Sequence, residues 1–522
     1  MEERVASGLT PQRRAVFRAA ALWLAVLAPL FYLTYGTANW LASLRTDVPN
    51  LAFGWERHIP FLAWTIVPYW SIYAFYALSL FVNDTAEDVG RLARRYLTVQ
   101  VIAVACFVAF PLQATFVRPE THGLPGFMFA VLGGFDKPFN QAPSLHIALL
   151  VVIWDHWRGR LRGGMRLFWH AWCVLIGLSV MTTWQHHAID IPTGALLGLF
   201  ALWLVPAGSP SPLAGFRLTP DPKARRLAAC YAAGAVLLLG LGVVQTRASG
   251  AGLLLLWPAL ALAIVSIGYA GAGAGVFQKG ADGRMSLAGR LLLLPYRLGA
   301  RINLYWWTRR LPAATEIADG VFLGRMPARG ELSTYTAVID MSAELPGLVV
   351  PGLAWSAFPS MDLLAVPTSR IRDAALAVEA LRQRGPVLVC CALGFQRSAL
   401  VAACYLMRAG IAENAVAAVE QIKAAGRPVH LPFAAYAAID PAPADSRTIA
   451  RKLGDFFLKI CVTEEFLQRA GPINHPSDLA RLPCIIDTNG KSHSNWRFVD
   501  TKGASFSVPV GGHIEVNSPT AA

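Results

Sequence analysis

Apolar residues dominate the first 275 positions in long runs separated by short polar breaks. Eight runs approach the ~20 helical residues that a bilayer core requires. They fall at 15–35, 61–82, 96–116, 143–157, 167–184, 190–206, 226–245 and 251–275. Beyond them the pattern changes. Between Gln278 and Arg310, Arg284, Arg290, Arg297, Arg301, Arg309 and Arg310 interleave with Leu291–Leu294 and Tyr305-Trp306-Trp307. That mixture predicts an amphipathic piece lying in the inner leaflet, with a helix packed against the soluble domain as the alternative. Further on, an apolar run ends at Cys391, a short loop follows, and an alanine-rich stretch covers Ala399–Ala409. This reads as buried strand, tight loop and helix.

Composition and charge sharpen the picture. Of 522 residues, 55% are apolar and 15% charged, with 16 tryptophans, which excludes an ordinary soluble chain. Positive residues cluster before the first run (Arg13, Arg14, Arg18) and after the second (Arg91, Arg94, Arg95). They cluster again after the fourth (Arg158, Arg160, Arg162, Arg166) and sixth (Arg217, Lys223, Arg225, Arg226). The positive-inside rule then places the N-terminus and every even-numbered exit in the cytoplasm of an inner-membrane, multi-pass protein. The net charge of +14 is assigned to topology and anionic lipid, with no nucleic-acid partner. Everything after the eighth run lies in a reducing compartment, where a working thiolate is expected and a disulfide framework is not.

The segment Val387-Leu-Val-Cys-Cys-Ala-Leu-Gly-Phe-Gln-Arg-Ser398 carries the clearest chemistry. A loop that enters a helix aims backbone N–H groups at one point, where the helix end adds positive potential. Such a field holds a phosphate and favours a thiolate at Cys391, while Arg397 presents a planar fork to phosphoryl oxygens. These residues resemble the dual-specificity branch of the cysteine-dependent phosphatases, over about Thr315–Ile439. Ile317–Arg325 looks like the first strand of such domains, Thr336–Glu344 like the next strand and turn, and Phe358–Pro367 like the acid-bearing loop. The resemblance implies Cys391 as nucleophile, Asp362 as general acid and Ser398 as the stabiliser of the departing thiolate. It implies that Ala392, Leu393 and Gly394 bind phosphate together with Arg397. Cys390 stands where the family usually has histidine, a neighbour able to trap the nucleophile by oxidation.

Two polar motifs interrupt the apolar half, where such groups are costly. They are Lys137-Pro-Phe-Asn-Gln-Ala-Pro-Ser-Leu-His146 and Ser179-Val-Met-Thr-Thr-Trp-Gln-His-His-Ala-Ile-Asp190. The i, i+4 spacing of His186 and Asp190 lets the carboxylate orient the imidazole. The charge-derived topology puts Arg118, His146, His186 and Asp190 on one non-cytoplasmic face. His187 fits no such pattern. The motifs resemble the type-2 phosphatidic acid phosphatase family, most closely its inositol phosphorylceramide synthase-like members, over about Ala52–Leu204. That likeness implies His186 as nucleophile, Asp190 as its partner, His146 as acid and Ser144 as phosphate ligand. Val180 replaces the family arginine, which leaves Arg118 and Lys137 to meet the phosphate charge.

Ala442–Ser446 reads as a boundary, and about Gly454–Ala522 resembles part of the effector domain of LysR-type regulators, cut short and expected to pack poorly. The expected architecture is a multi-span α-helical membrane bundle, then an α/β cysteine-phosphatase domain with a central sheet flanked by helices, then an incomplete α/β fragment. The expected divisions are 1–210, 211–277, 278–314, 315–441 and 442–522. The expected activity is phosphoric monoester hydrolysis at two sites, through phosphocysteine inside and phosphohistidine outside. The alternatives are exchange of lipid phospho-headgroups, or phosphate sensing with an inactive membrane half. Phosphorylated lipids rank first as partners and phosphoproteins second. Neither site calls for a metal or cofactor.

Overall fold

A computed structural model describes residues 10–439, 462–487, 494–499 and 505–516. The chain divides into two compact units, Met1–Pro441 and Ala442–Ala522. The boundary at 442–446 and the first part of the LysR-like stretch, 454–461, lie outside the described residues.

The first unit begins with helices α1 (Pro11–Ser43), α2 (Ile66–Phe81), α3 (Ala86–Ala109), α4 (Gly123–Phe135), α5 (Leu145–Arg158), α6 (Gly163–Thr182), α7 (Asp190–Leu204), α8 (Pro222–Ala248) and α9 (Leu256–Ile267). Among the described residues, five helical segments are long and apolar enough to cross a membrane: Pro11–Ser43, Ala86–Ala109, Gly163–Thr182, Pro222–Thr246 and Gly250–Phe277. This departs from the eight spans expected from the apolar runs. Helices α2, α5 and α7 have 16, 14 and 15 residues, and at 1.5 Å per residue they reach only about 21–24 Å. The last segment is broken rather than continuous, because Gly271 takes φ 156° between α9 and Phe277. Helix α4 occupies a stretch that the apolar pattern left as a connection.

Close packing of α5 on α7 sets up the polar motifs. Gly194 and Gly198, one turn apart on α7, lie against the carbonyls of Ser144 and Ala148. A Cβ at either glycine would stand 2.5 or 2.6 Å from those oxygens. Small residues at this spacing let two helix backbones meet. The contact brings the start of α5, with Ser144 and His146, beside the loop that carries His186.

After α9 come α10 (Leu287–Leu292) and α11 (Leu294–Thr308), then β1 (Ala314–Ala318), β2 (Val321–Arg325), β3 (Ala337–Ser342), β4 (Ala354–Ser360), α12 (Thr368–Arg382), β5 (Val387–Cys391), α13 (Arg397–Arg408), α14 (Ala415–Ala424) and α15 (Phe433–Ile439). The sheet order is β1-β2-β5-β3-β4. All neighbours are parallel except β1 with β2. Strand alternation sends Val387, Val389 and Cys391 to one face, against Ile371, Val378, Leu400 and Val401. Leu388 and Cys390 go to the other face, where Ala300 and Leu304 of α11 pack.

The stretch 278–314 is therefore more than a linker. Lys279 and Met285 pair in a short antiparallel bridge. The turn between them docks on the sheet edge, with Ala357 N–H donating to the Ala281 carbonyl (2.7 Å) and Gly347 N–H to that of Gly283 (2.8 Å). The Lys279 ammonium, fully buried, pairs with buried Asp340 and donates to the Ser342 and Leu345 carbonyls (2.7 and 2.6 Å). Helix α11 has two apolar faces. Opposite Ala300 and Leu304, a stripe of Leu298, Ile302, Tyr305 and Trp306 is exposed.

In the second unit, α16 (Glu464–Ala470) precedes β6 (Pro483–Asp487), β7 (Asn495–Val499), β8 (Ser505–Pro509) and β9 (Gly511–Val516). The strands form two separate pairs, β6 with β9 and β7 with β8. Their shared core is small, centred on Leu479, Ile486, Val508 and Val510.

Candidate functional site

The loop from Cys391 to Arg397 turns back on its own sulfur. Gly394 N–H donates to Cys391 Sγ at 3.2 Å, and the Ser398 hydroxyl donates to it at 3.3 Å. Gly394 is required twice over: its φ is +79°, and a Cβ there would stand 2.3 Å from Arg427 Nη2 and 2.4 Å from the Gly324 carbonyl. Arg427, buried beneath the loop, donates to the Leu393 carbonyl (2.8 Å) and faces the Phe395 ring. Burial pushes the Cys390 thiol well up. Because it points through the opposite face of β5, it is not the neighbouring trap that adjacency in sequence implied.

Arg397 is 1% exposed and held from three sides. Its Nη1 and Nη2 meet the Glu344 carboxylate at 2.9 and 2.7 Å, Nη1 also donates to the Ser360 carbonyl (2.8 Å), and Nη2 lies 3.1 Å from Asp362 Oδ1. Nε is buried without a partner. Burial acts to push the Glu344 carboxyl up, but the charge and hydrogen bonds of Arg397 overcome it and hold the group below its usual 4.5. The same pairing raises Arg397, against the opposing effect of burial. Glu344 stood in the segment that sequence reasoning treated as a turn, and its part in holding the guanidinium was not foreseen.

The ends of β3, β4 and β5 thus deliver Glu344, Asp362 and Cys391 to one edge of the sheet. Asp362 sits in a loop that the helical bundle helps to fix. Its carbonyl accepts a hydrogen bond from the Tyr269 hydroxyl (3.1 Å), and Met361 packs into the core of the helical part with Leu364 beside it. Leu363 adopts φ +61°, which turns the chain sharply after the acid.

A second cluster lies in the helical half. His186 Nδ1 is 3.2 Å from Asp190 Oδ2, and His186 Nε2 is 3.2 Å from Ser144 Oγ. With the Nδ1 proton directed at the carboxylate, Nε2 keeps its lone pair. His146 stacks on Tyr69 (ring centroids 4.0 Å apart), and its buried Nε2 has no partner. His146 and His186 line one cavity of about 180 Å³ with Tyr35, Tyr69, Tyr73 and Asp136. Asp136, bonded to the Tyr35 hydroxyl (2.6 Å), immediately precedes the motif read from the sequence and was missed. Val180 is buried, and its carbonyl accepts His186 N–H (3.1 Å). Neither expected phosphate cation lines the cavity itself, although Arg118 is within electrostatic reach of Tyr69 and Asp136 in its wall. Lys137 is exposed, because it lies in the turn that follows α4. The Arg118 guanidinium lies over the Phe129 ring.

His187, read as a bystander, is a brace. Its Nδ1 lies 2.6 Å from buried Glu56 and its Nε2 accepts Thr115 N–H (3.2 Å), tying down the irregular segment that leads to Arg118.

Among solved structures, the chain is similar to human DUSP28 (30% identity, TM-score 0.23, covering 24% of this chain and 90% of that one). It is similar to a mouse putative dual specificity phosphatase complexed with zinc tungstate (27% identity, TM-score 0.23, 24% and 84% covered). It is also similar to PTPMT1 in complex with PI(5)P (16% identity, TM-score 0.23, 24% and 92% covered). These neighbours are dual-specificity and related phosphatases, and the likeness takes in about a quarter of the chain. No protein-family profile and no curated protein matches the chain, so the likenesses of the helical half and the C-terminal segment rest on their residues alone.

Proposed function

We propose that the chain is a membrane-bound phosphoric monoester hydrolase whose cytoplasmic site works through Cys391. The observation that carries this reading is the pairing of a sulfur that receives two donors with a guanidinium fixed by Glu344 and left with one unpartnered buried N–H. An anion placed above Cys391 would find the loop amides and that Nε at once.

The reaction runs in two displacements. The Cys391 thiolate attacks phosphorus, the P–O bond to the leaving group breaks, and Asp362 gives its proton to the departing oxygen. Water then attacks the phosphocysteine and loses a proton to the Asp362 carboxylate. The P–S bond breaks, and the Ser398 hydroxyl hydrogen-bonds the returning thiolate. Asp362 now faces Arg397, so binding of phosphate displaces it from the guanidinium toward the leaving group.

The helical half supports a second reaction, hydrolysis of lipid phosphate at the outer face. The continuous contact Asp190–His186–Ser144, with His146 in the same cavity, favours attack by His186 Nε2 and proton delivery by His146. The largely apolar cavity, with Asp136 at its wall, also suits transfer to a second alcohol. Assays of Cys391→Ser and His186→Ala, each in the full chain, test the scheme. Each change should remove one activity and leave the other. Phosphate release from lipid and peptide esters that survives both changes would end the two-site reading.

A further inference from the structure

Three tyrosines from the helical part cluster beside Asp362 and Glu344 of the cysteine site, and none belongs to the phosphatase sheet. Tyr231 lies on α8, Tyr269 just after α9 and Tyr296 on α11. Tyr231 stacks on Tyr269 (centroids 5.4 Å, 12°) and meets Tyr296 edge-on (5.8 Å, 73°). Tyr269 bonds the Asp362 carbonyl. All three lie within electrostatic reach of Glu344, and Tyr231 and Tyr269 also of Asp362.

We infer that these membrane helices form one wall of the Cys391 pocket and restrict it to phosphomonoester lipids presented from the bilayer. The inference rests on the cysteine reading above and adds the substrate class. Two further observations support it. First, the acid loop is seated in the helical core: Met361 lies so close to Gly268 that a Cβ there would stand 3.3 Å from its Cε. The catalytic edge of the sheet is therefore turned toward the bundle, where an extended peptide backbone finds helices in its path. Second, α11 carries Tyr296 and presents Leu298, Ile302, Tyr305 and Trp306 outward on one face, while Ala300 and Leu304 meet the sheet. Arg309 stacks over Trp306 (3.9 Å) on the same helix. Aromatic and basic residues on an exposed apolar face are the signature of a helix lying at headgroup level. Tyr296 of that helix belongs to the tyrosine cluster beside Asp362, so a headgroup arriving along α11 reaches Cys391 while its chains stay in lipid.

The test uses the full-length chain in detergent with His186→Ala, so that the second site is silent. Four phosphomonoesters are compared by kcat/KM: p-nitrophenyl phosphate, glycerol 3-phosphate, phosphatidic acid in mixed micelles and a phosphotyrosyl peptide. Phosphatidic acid should exceed both glycerol 3-phosphate and the peptide by about tenfold or more, the scale on which apolar contacts discriminate. Tyr296→Ala and Tyr231→Ala should lower the ratio of phosphatidic acid to peptide turnover by a similar factor, about tenfold, and Tyr296→Phe should keep it. Peptide turned over as well as the lipid by the parent protein would overturn the inference and leave the cysteine chemistry standing. So would glycerol 3-phosphate turned over equally well. Failure to hydrolyse any of the four would overturn both.

Discussion

Glu344 grips Arg397 through both carboxylate oxygens, at 2.7 and 2.9 Å, and both side chains are buried. The pair fixes the guanidinium plane before any substrate arrives, which removes an ordering cost from phosphate binding. Replacing Glu344 by alanine takes away the bidentate partner of a buried cation and leaves it only the half-exposed Asp362. That change should cost about 3–5 kcal/mol of stability, read as a lowered unfolding midpoint in denaturant.

The same pair makes a pH prediction. The folded carboxyl of Glu344 is held below 4.5. Its contribution to stability is therefore complete above that value and is lost as the pH falls through the lower folded value. Unfolding curves at stepped acid pH should show this loss in the parent chain, and Glu344→Gln should flatten it.

Leaving groups will report on Asp362. With asparagine at 362, hydrolysis of an alkyl phosphate should fall by about 10²–10⁴. p-Nitrophenyl phosphate, whose leaving group needs no proton, should lose much less. Tyr269→Phe removes the anchor of the Asp362 carbonyl and should show the same leaving-group bias more weakly. Equal losses on both esters would contradict the role of Asp362 as acid.

Gly394→Ala should be poorly tolerated. The new methyl would meet Arg427 and the Gly324 carbonyl, and the backbone at φ +79° disfavours any side chain. The expected result is loss of vanadate binding with the helical half still folded, measured by calorimetry and circular dichroism.

In the helical half, Gly194→Val should separate α5 from α7 and pull Ser144 away from His186. Lipid-phosphate turnover by the His186 cluster, read in a Cys391→Ser background, should vanish, while with Cys391 intact the rate on p-nitrophenyl phosphate is kept. Unchanged lipid turnover in that background would show that the α5–α7 contact does not set the cluster.

What could be read from the chain was local. Cys391, Gly394, Arg397 and Ser398 lie within eight residues, so strand, loop and helix announce themselves in one window. His186 and Asp190 stand four positions apart, close enough to be read together, although His186 lies in the loop that leads into α7 and not on a shared helical face. Partners brought in from afar were invisible: Glu344 stands 53 positions from Arg397, and Glu56 131 positions from His187. Tyr269 hides in an apolar run, where a tyrosine reads as an interfacial anchor. Helix α4 was lost because Gly123, Pro125, Gly126, Gly133 and Gly134 give it poor intrinsic propensity, which packing overrides. The eight apolar runs were found, but their lengths were not, since burial inside a bundle lets a helix be both apolar and short.

Lys279 has a consequence for anyone who cuts this protein apart. A fragment begun at 315, where the family likeness starts, strands the Asp340 carboxylate in the interior with nothing to neutralise it. It also strips the 278–286 turn from Trp355 and the edge of β4. The excised piece should be insoluble or swollen, whereas one begun before Gln278 keeps its counterion and should behave as a folded body.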